Sequence, residues 1–395
     1  MKIYGVNTSH DTALCVNDDG VIKDVFEEER SRREKYFTIG QDGDDTTGLV
    51  LVEHKQLETP DEVVFASFDR RQLSLTFNED LMRYNRKNQD ELLSVFTESQ
   101  LTTARIEEIR KEHPQWFNVG DNICDNSDHG MSEPDFEICE DVAEQLGVDE
   151  YFFEHEHHLY HAECGYILSP WKDTEDAIAI TFDGGGAQLH YDTHPNYQEI
   201  EGIWKCSPNT SPVPQFQKFS NHRFLGELHN QSFNNYMEDC FTCPIDLTEQ
   251  IDGVESVFTS LPSMGMNFSN MSYALGCDDE GRAAGKVMGM ASYGSQGLSS
   301  NVFNRFTVAQ ELELQSFGHT CDLIQKAIDL NPEINNIVLS GGFALNCTNN
   351  YKYLKAFPDK QFFVDPIPHD GGTCVGASSI LYRNIKEGET ENVID

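Results

Sequence analysis

Ala177-Ile178-Ala179-Ile180-Thr181-Phe182-Asp183-Gly184-Gly185-Gly186-Ala187-Gln188 is an uncharged run that stops in an acidic, glycine-rich turn. The run reads as a buried strand. Glycines after it let the backbone turn sharply and approach a ligand closely. Strands are expected to continue through 189–191 and 197–204. The order is strand, small turn with an aspartate, strand, turn, strand. The chain opens in the same way. Residues 2–7 (Lys2-Ile3-Tyr4-Gly5-Val6-Asn7) read as a strand, Ser9-His10-Asp11-Thr12 as a polar turn and 13–16 as a second strand. Asn17-Asp18-Asp19-Gly20 is a hairpin signal, because Asp and Gly tolerate positive φ. Residues 21–26 make a third strand. The repeat lies in the pattern of elements, not in the residues.

Between the two meanders stands Glu156-His157-His158-Leu159-Tyr160-His161-Ala162-Glu163. A strand-like run precedes it at 150–154, and a helix-capable run follows to Leu168, stopped by Ser169-Pro170. In a helix, His157 and His161 at i,i+4 share one face. That is metal-pair spacing, and neutral imidazole is a common ligand for zinc, iron and copper. A hydrogen-bonded histidine cluster is the alternative.

Further along, Gly285-Lys286-Val287-Met288-Gly289 combines a lysine with close glycines, as in a ligand-lining loop or helix start. Residues 309–330 have helical periodicity and end at Asn331-Pro332. The strand 337–340 leads into Gly341-Gly342-Phe343-Ala344-Leu345-Asn346, where backbone amides and a helix start can face a ligand. The last strand, 362–366, leads to His369-Asp370-Gly371-Gly372-Thr373. Asp370 thus sits at a strand-to-helix turn, where α/β sheets gather ligands. A helix over 374–384 and a frayed tail over 386–395 complete the chain. Other strands and helices are expected at 63–68, 91–96, 104–112, 139–145 and 225–237. The polar stretch at about 71–148 reads as a peripheral insertion.

The 395 residues are enough for two to three core-forming units, and 11% aromatic content marks a globular chain. Sixty-seven acidic against 28 basic residues give a net charge of −39. Such a surface repels phosphate backbones and argues against general nucleic-acid binding. A small anion held by backbone amides stays compatible with it. The eleven cysteines are scattered, and Met1-Lys2-Ile3-Tyr4 opens directly into a strand, so a reducing, cytoplasmic setting is expected. Cys240-Phe241-Thr242-Cys243 is a lone CxxC and weak as a zinc site. No apolar run approaches the roughly 20 residues of a membrane span.

The doubled meander with Asp- and Gly-bearing first turns is similar to the actin-like ATPase architecture, a duplicated ribonuclease H-like α/β fold. Its two lobes would be 1–176, with the insertion, and 177–395. Seven stretches in order also resemble the NodU/CmcH-type O-carbamoyltransferases, which include the tobramycin carbamoyltransferase. They are Ser9-His10-Asp11-Thr12-Ala13, Glu27-Glu28-Glu29-Arg30, His157-His158-Leu159-Tyr160-His161-Ala162, Asp183-Gly184, residues 285–294, Gly341-Gly342-Phe343-Ala344-Leu345-Asn346, and Asp370-Gly371-Gly372. Ser9 stands where relatives usually have glycine.

The resemblance implies a divalent metal, iron in the best-matched relatives, held by His157, His161 and Asp370. It implies carbamoyl-adenylate, made from carbamoyl phosphate and ATP, as the carbamoyl donor. The acceptor would be a small-molecule hydroxyl, on a sugar or nucleotide derivative, deprotonated or oriented by His10 or Asp11. Lys286, the turn Asp183-Gly184-Gly185, and Gly341, Gly342 and Asn346 would hold the adenylate's phosphate and nucleoside. Complete members carry a C-terminal YrdC-type domain that makes the adenylate. This chain stops soon after the Asp370 turn, so a separate YrdC-type activating protein or a truncated product is expected. Threonylcarbamoyl transfer to tRNA, which the acidity disfavours, and a non-catalytic nucleotide- or metal-binding regulator are the alternatives.

Overall fold

The computed structural model describes residues 1–9, 11–34, 37–39, 48–66, 133–154, 156–187, 189, 197–220, 247–259, 261–275, 277, 283–294, 305–388 and 393–394. The helices expected at 91–96, 104–112 and 225–237, His10 and the CxxC pair lie outside these residues.

Two sheets share one plan. β1 (Lys2–Asn7), β2 (Ala13–Asp18) and β3 (Val21–Glu27) form an antiparallel meander. β4 (Glu62–Ala66) lies parallel to β1, and β5 (Tyr151–Glu154) parallel to β4. In the second half, β6 (Ala177–Phe182), β7 (Gln198–Cys206) and β8 (Val213–Ser220) repeat the meander. Two short edge strands, β9 (Leu247–Ile251) and β10 (Val254–Thr259), extend it beyond β8. β11 (Asn336–Ser340) then lies parallel to β6, and β12 (Gln361–Val364) parallel to β11. The last strand, β13 (Val393–Ile394), pairs with β5. The strand orders are therefore β13-β5-β4-β1-β2-β3 and β12-β11-β6-β7-β8-β10-β9. The five-strand cores match in order and direction. This is the duplicated, actin-like ATPase fold.

Helices α1 (Glu28–Arg32), α2 (Val50–Lys55) and α3 (Glu133–Leu146) belong to the first half. The outer face of the first sheet buries Tyr4, Val6, Leu14, Val63 and Phe65 against α2 and α3. Helix α4 (His157–Ile167) follows β5 and is buried at every position from His157 to Tyr166. Helices α5 (Met264–Ala274), α6 (Ala284–Ala291) and α7 (Arg305–Leu330) cover the outer face of the second sheet, against Ile178, Ile180 and Phe182. The alternation along β6 explains its two neighbours. Its large residues face these helices, while Ala177 and Ala179 face α4 through Leu159, Ala162 and Tyr166. Helix α8 (Cys347–Ala356) follows β11, and α9 (Thr373–Glu387) follows β12.

The two halves exchange their closing helices. α4 leaves the first sheet and packs on β6, β7 and β11 of the second. α9 leaves the second sheet and packs on β1, β2 and β4 of the first. The helices also pack on each other. Glycines permit this stack. A Cβ on Gly5 would stand 2.0 Å from the Cys374 carbonyl oxygen, and one on Gly376 would stand 2.2 Å from that of Tyr160. Between the helices, the buried Glu163 carboxylate accepts from Arg383 and from the Ser379 hydroxyl, each at 2.6 Å. The tail expected to fray carries β13, and α9 and β13 lie on the first sheet although they follow residue 177.

Candidate metal centre

The exchange brings the starts of α4 and α9 to one point between the sheets. His157 and His161 project from the first turns of α4. Asp183 directly follows β6, and Asp370 opens the short turn that feeds α9. One ligating atom from each of the four lies within 4.8 Å of the others. His157 Nε2 is 3.1 Å from Asp183 Oδ2 and 3.1 Å from His161 Nε2. Asp370 Oδ1 is 3.6 Å from His157 Nε2 and 3.8 Å from His161 Nε2. Asp183 Oδ2 is 3.6 Å from His161 Nε2.

These separations fit a bound cation. A metal about 2.1 Å from each donor separates neighbouring donors by about 3.0 to 3.4 Å. Two imidazole nitrogens facing each other at 3.1 Å need a shared hydrogen or a metal between them. Both histidines are buried, while Asp183 and Asp370 are each 9% exposed. Burial opposes protonation of His161, but the Asp183 and Asp370 carboxylates outweigh it and raise the imidazole to about 9. The cluster therefore favours a cation at its centre. Two imidazoles and two carboxylates suit iron, zinc or manganese.

His158 turns away. Its Nδ1 is 2.9 Å from Thr181 Oγ1, to which the Trp204 indole also donates. Burial, then the neighbouring His157 and His161, push His158 well below its ordinary value. It is a neutral packing residue of the second sheet.

The glycine turns brace the cluster. Gly342 N–H donates to Asp183 Oδ1 at 3.2 Å, leaving Oδ2 for the histidines. Gly341 has φ 90°, and a Cβ there would lie 2.4 Å from the Phe182 carbonyl oxygen. Gly184 accepts from the Ser263 hydroxyl at 2.7 Å, and a Cβ on it would meet nothing within 4 Å. Gly185 is followed by Gly186, where a Cβ would lie 2.7 Å from His158 Cδ2.

Asn346, read as a ligand residue, is 1% exposed. Its side chain caps α8 by accepting from Asn349 N–H at 3.2 Å and donates to Glu313 at 2.9 Å. Lys286 lies on α6, exposed, with its ammonium donating to the Cys277 carbonyl at 2.8 Å.

Asp11 lies on the first turn of the first meander with φ 60°. Its Oδ2 is 3.6 Å from His369 Nδ1. His369 Nδ1 also accepts from Gly371 N–H at 3.2 Å, which assigns the ring proton to Nε2, facing Glu27 Oε1 at 3.1 Å. The His369 contact, more than burial opposes it, lowers the Glu27 carboxyl to about 2, with Arg30 adding to the effect. The sequence reading missed His369 and Glu27 as a pair. The adjacency of His369 to Asp370 and the acidic box at 27–29 were the available signals.

No known sequence family and no curated protein matches the chain. Several solved structures are similar to it in fold. Full-length HypF in a phosphate- and nucleotide-bound form is 12% identical, with a TM-score of 0.45, over 99% of this chain and 56% of that one. HypF of T. kodakarensis is 12% identical, with a TM-score of 0.47, over 98% of this chain and 48% of that one. The activator of 2-hydroxyisocaproyl-CoA dehydratase from Clostridium difficile, with bound ADPNP, is 10% identical, with a TM-score of 0.42, over the full length of both chains. The chain spans about half the length of the HypF chains.

Proposed function

We propose that this chain is a metal-assisted O-carbamoyltransferase that moves a carbamoyl group from carbamoyl-adenylate to the hydroxyl of a small molecule. The observation that carries the reading is the cluster of His157, His161, Asp183 and Asp370 at the junction of two duplicated sheets. Its residues fall in the stretches that resemble the NodU/CmcH-type enzymes. Asp183 joins His157, His161 and Asp370 as a ligand in this reading.

The acceptor oxygen forms a bond to the carbamoyl carbon. The bond from that carbon to the adenylate phosphate breaks, and its electron pair leaves with AMP. The hydroxyl proton passes to a base at the cleft. The metal, when bound, supplies Lewis-acid stabilisation of the charge on the carbamoyl or phosphate oxygens. Asp11 beside His369 orients the hydroxyl and accepts its proton. The Gly184-Gly185 turn and the Gly341-Gly342 turn let the adenylate phosphate approach the backbone. Lys286, on the open face of α6, serves the nucleoside end. A YrdC-type activity supplies the adenylate.

Metal content of the anaerobically purified chain tests this reading, with His161→Ala beside it. The expected result is about one ion per chain, lost in the variant. Transfer from added carbamoyl-adenylate is then measured across a panel of hydroxyl acceptors. No metal after reconstitution with iron would overturn the mechanism.

A further inference from the structure

A cavity of about 710 Å³ opens among β3, α1, α2 and Ile367. Its volume lies in the range of small-molecule sites. Phe26, Glu27, Arg30, Arg33, Lys55 and Ile367 help form its wall. In a chain of net charge −39, this wall carries three cationic side chains and one carboxylate.

The one carboxylate is already engaged. Glu27 faces His369 Nε2 at 3.1 Å and accepts from Arg30 Nε at 2.8 Å. Arg30 is further neutralised by Glu29 at 3.5 Å. Arg33 and Lys55 have no carboxylate partner among the described residues. Lys55 is held at the wall, with its ammonium 5.0 Å from the centre of the Phe26 ring. Two cations without a carboxylate partner among the described residues therefore face one cavity, in a chain whose acidic surface would otherwise exclude an anion.

The cavity also has a direction. Ile367 stands three residues before Asp370, and Glu27 holds His369, the residue next to it. Glu27 thus belongs both to the cavity wall and to the Glu27–His369–Asp11 contacts, and His369 adjoins Asp370 in the chain. We infer that this cavity binds an anionic group of the acceptor, a phosphate or carboxylate, through Arg33 and Lys55, while the acceptor's hydroxyl reaches past His369 to the metal centre. The acceptor is then a small hydroxylated anion rather than a neutral sugar. This inference rests on the carbamoyl-transfer reading for the acceptor's role, and not for the anion site itself.

The two parts are tested separately. Calorimetric titration of the full chain with inorganic phosphate at low ionic strength compares wild type, Arg33→Gln/Lys55→Gln and His161→Ala. Both substituted cations are exposed, and thermal melting checks that the fold is kept. Saturable binding is expected in wild type and in His161→Ala, weakened on the order of tenfold or more in the double variant. Equal binding by wild type and the double variant, or none by wild type, overturns the anion site even if the metal and transfer activity are present. With carbamoyl-adenylate as donor, glycerol 3-phosphate and glycerol form a charged and uncharged acceptor pair. A preference for the charged acceptor that disappears in the double variant supports the acceptor class. Equal kcat/KM for the pair in wild type overturns it.

Discussion

His157 Nε2 and Asp183 Oδ2 stand 3.1 Å apart although one closes the first half of the chain and the other opens the second. They meet because α4 crosses from its own sheet to pack against β6. Asp183 Oδ1 is occupied by Gly342 N–H, so the carboxylate is fixed with Oδ2 toward the rings. A fixed carboxylate loses little freedom on binding a cation. Asp183→Asn is therefore expected to weaken metal binding on the order of a hundredfold, as the loss of a ligand or its close support does. Competition against a chelator, with iron and with zinc, measures this. Wild-type affinity in Asp183→Asn would confine that residue to a structural role.

How much of this was legible depends on sequence distance. The uncharged run over 177–182 reads as a strand and the doubled meander as the fold, because both are local patterns. The i,i+4 spacing of His157 and His161 likewise put both rings on one side of a helix. The exchange of α4 and α9 was not legible. It depends on Gly5 meeting Cys374 and Gly376 meeting Tyr160, pairings that no local pattern encodes. Asp183 looked like part of a phosphate turn for the same reason: its nearness to His157 arises only after the crossing. Asn346 follows a double glycine, as a ligand residue would, yet its amide is used by Glu313 of α7.

The crossing of α4 and α9 predicts a coupling between two charges. Glu163 is fully buried and bonded to Arg383, whose side chain is 17% exposed. Removing one partner leaves the other charged and desolvated. Glu163→Gln or Arg383→Met alone is expected to cost about 3 to 5 kcal/mol. The double variant should recover a large part of that cost, because neither charge remains. Urea denaturation of the four proteins gives the coupling. Additive losses would mean that the pair contributes nothing as a pair.

Backbone contact at the same crossing predicts an unusual sensitivity to one methyl group. A Cβ on Gly376 would approach Tyr160 O at 2.2 Å and its Cα at 2.7 Å, so neither wall is a movable side-chain end. Gly376→Ala is expected to cost about 3 kcal/mol. Gly318→Ala on α7 is the control, since a Cβ there meets nothing within 4 Å. It should stabilise by about 0.5 to 1 kcal/mol through helix propensity. Melting temperatures that move together in both variants would contradict the close packing of α4 on α9.

Acid stability should report on Glu201, on the outer face of the second sheet. Burial alone would raise its carboxyl, but His319 at 2.6 Å and Lys218 at 3.5 Å outweigh that and lower it to about 2, against an ordinary value of 4.5. The folded state therefore holds the charged form more strongly than the unfolded chain does. The stabilisation is complete above pH 4.5 and is lost as the pH falls toward 2. Between pH 4.5 and 3 the loss is about 2 kcal/mol for this group. Other carboxylates titrate in the same window, so the quantity to measure is the stability difference between wild type and Glu201→Gln at each pH. That difference should shrink by about this amount as the pH falls from 4.5 to 3, because the variant has no proton to take up there. A difference that stays constant across the window would mean that Glu201 is not held ionised by His319 and Lys218.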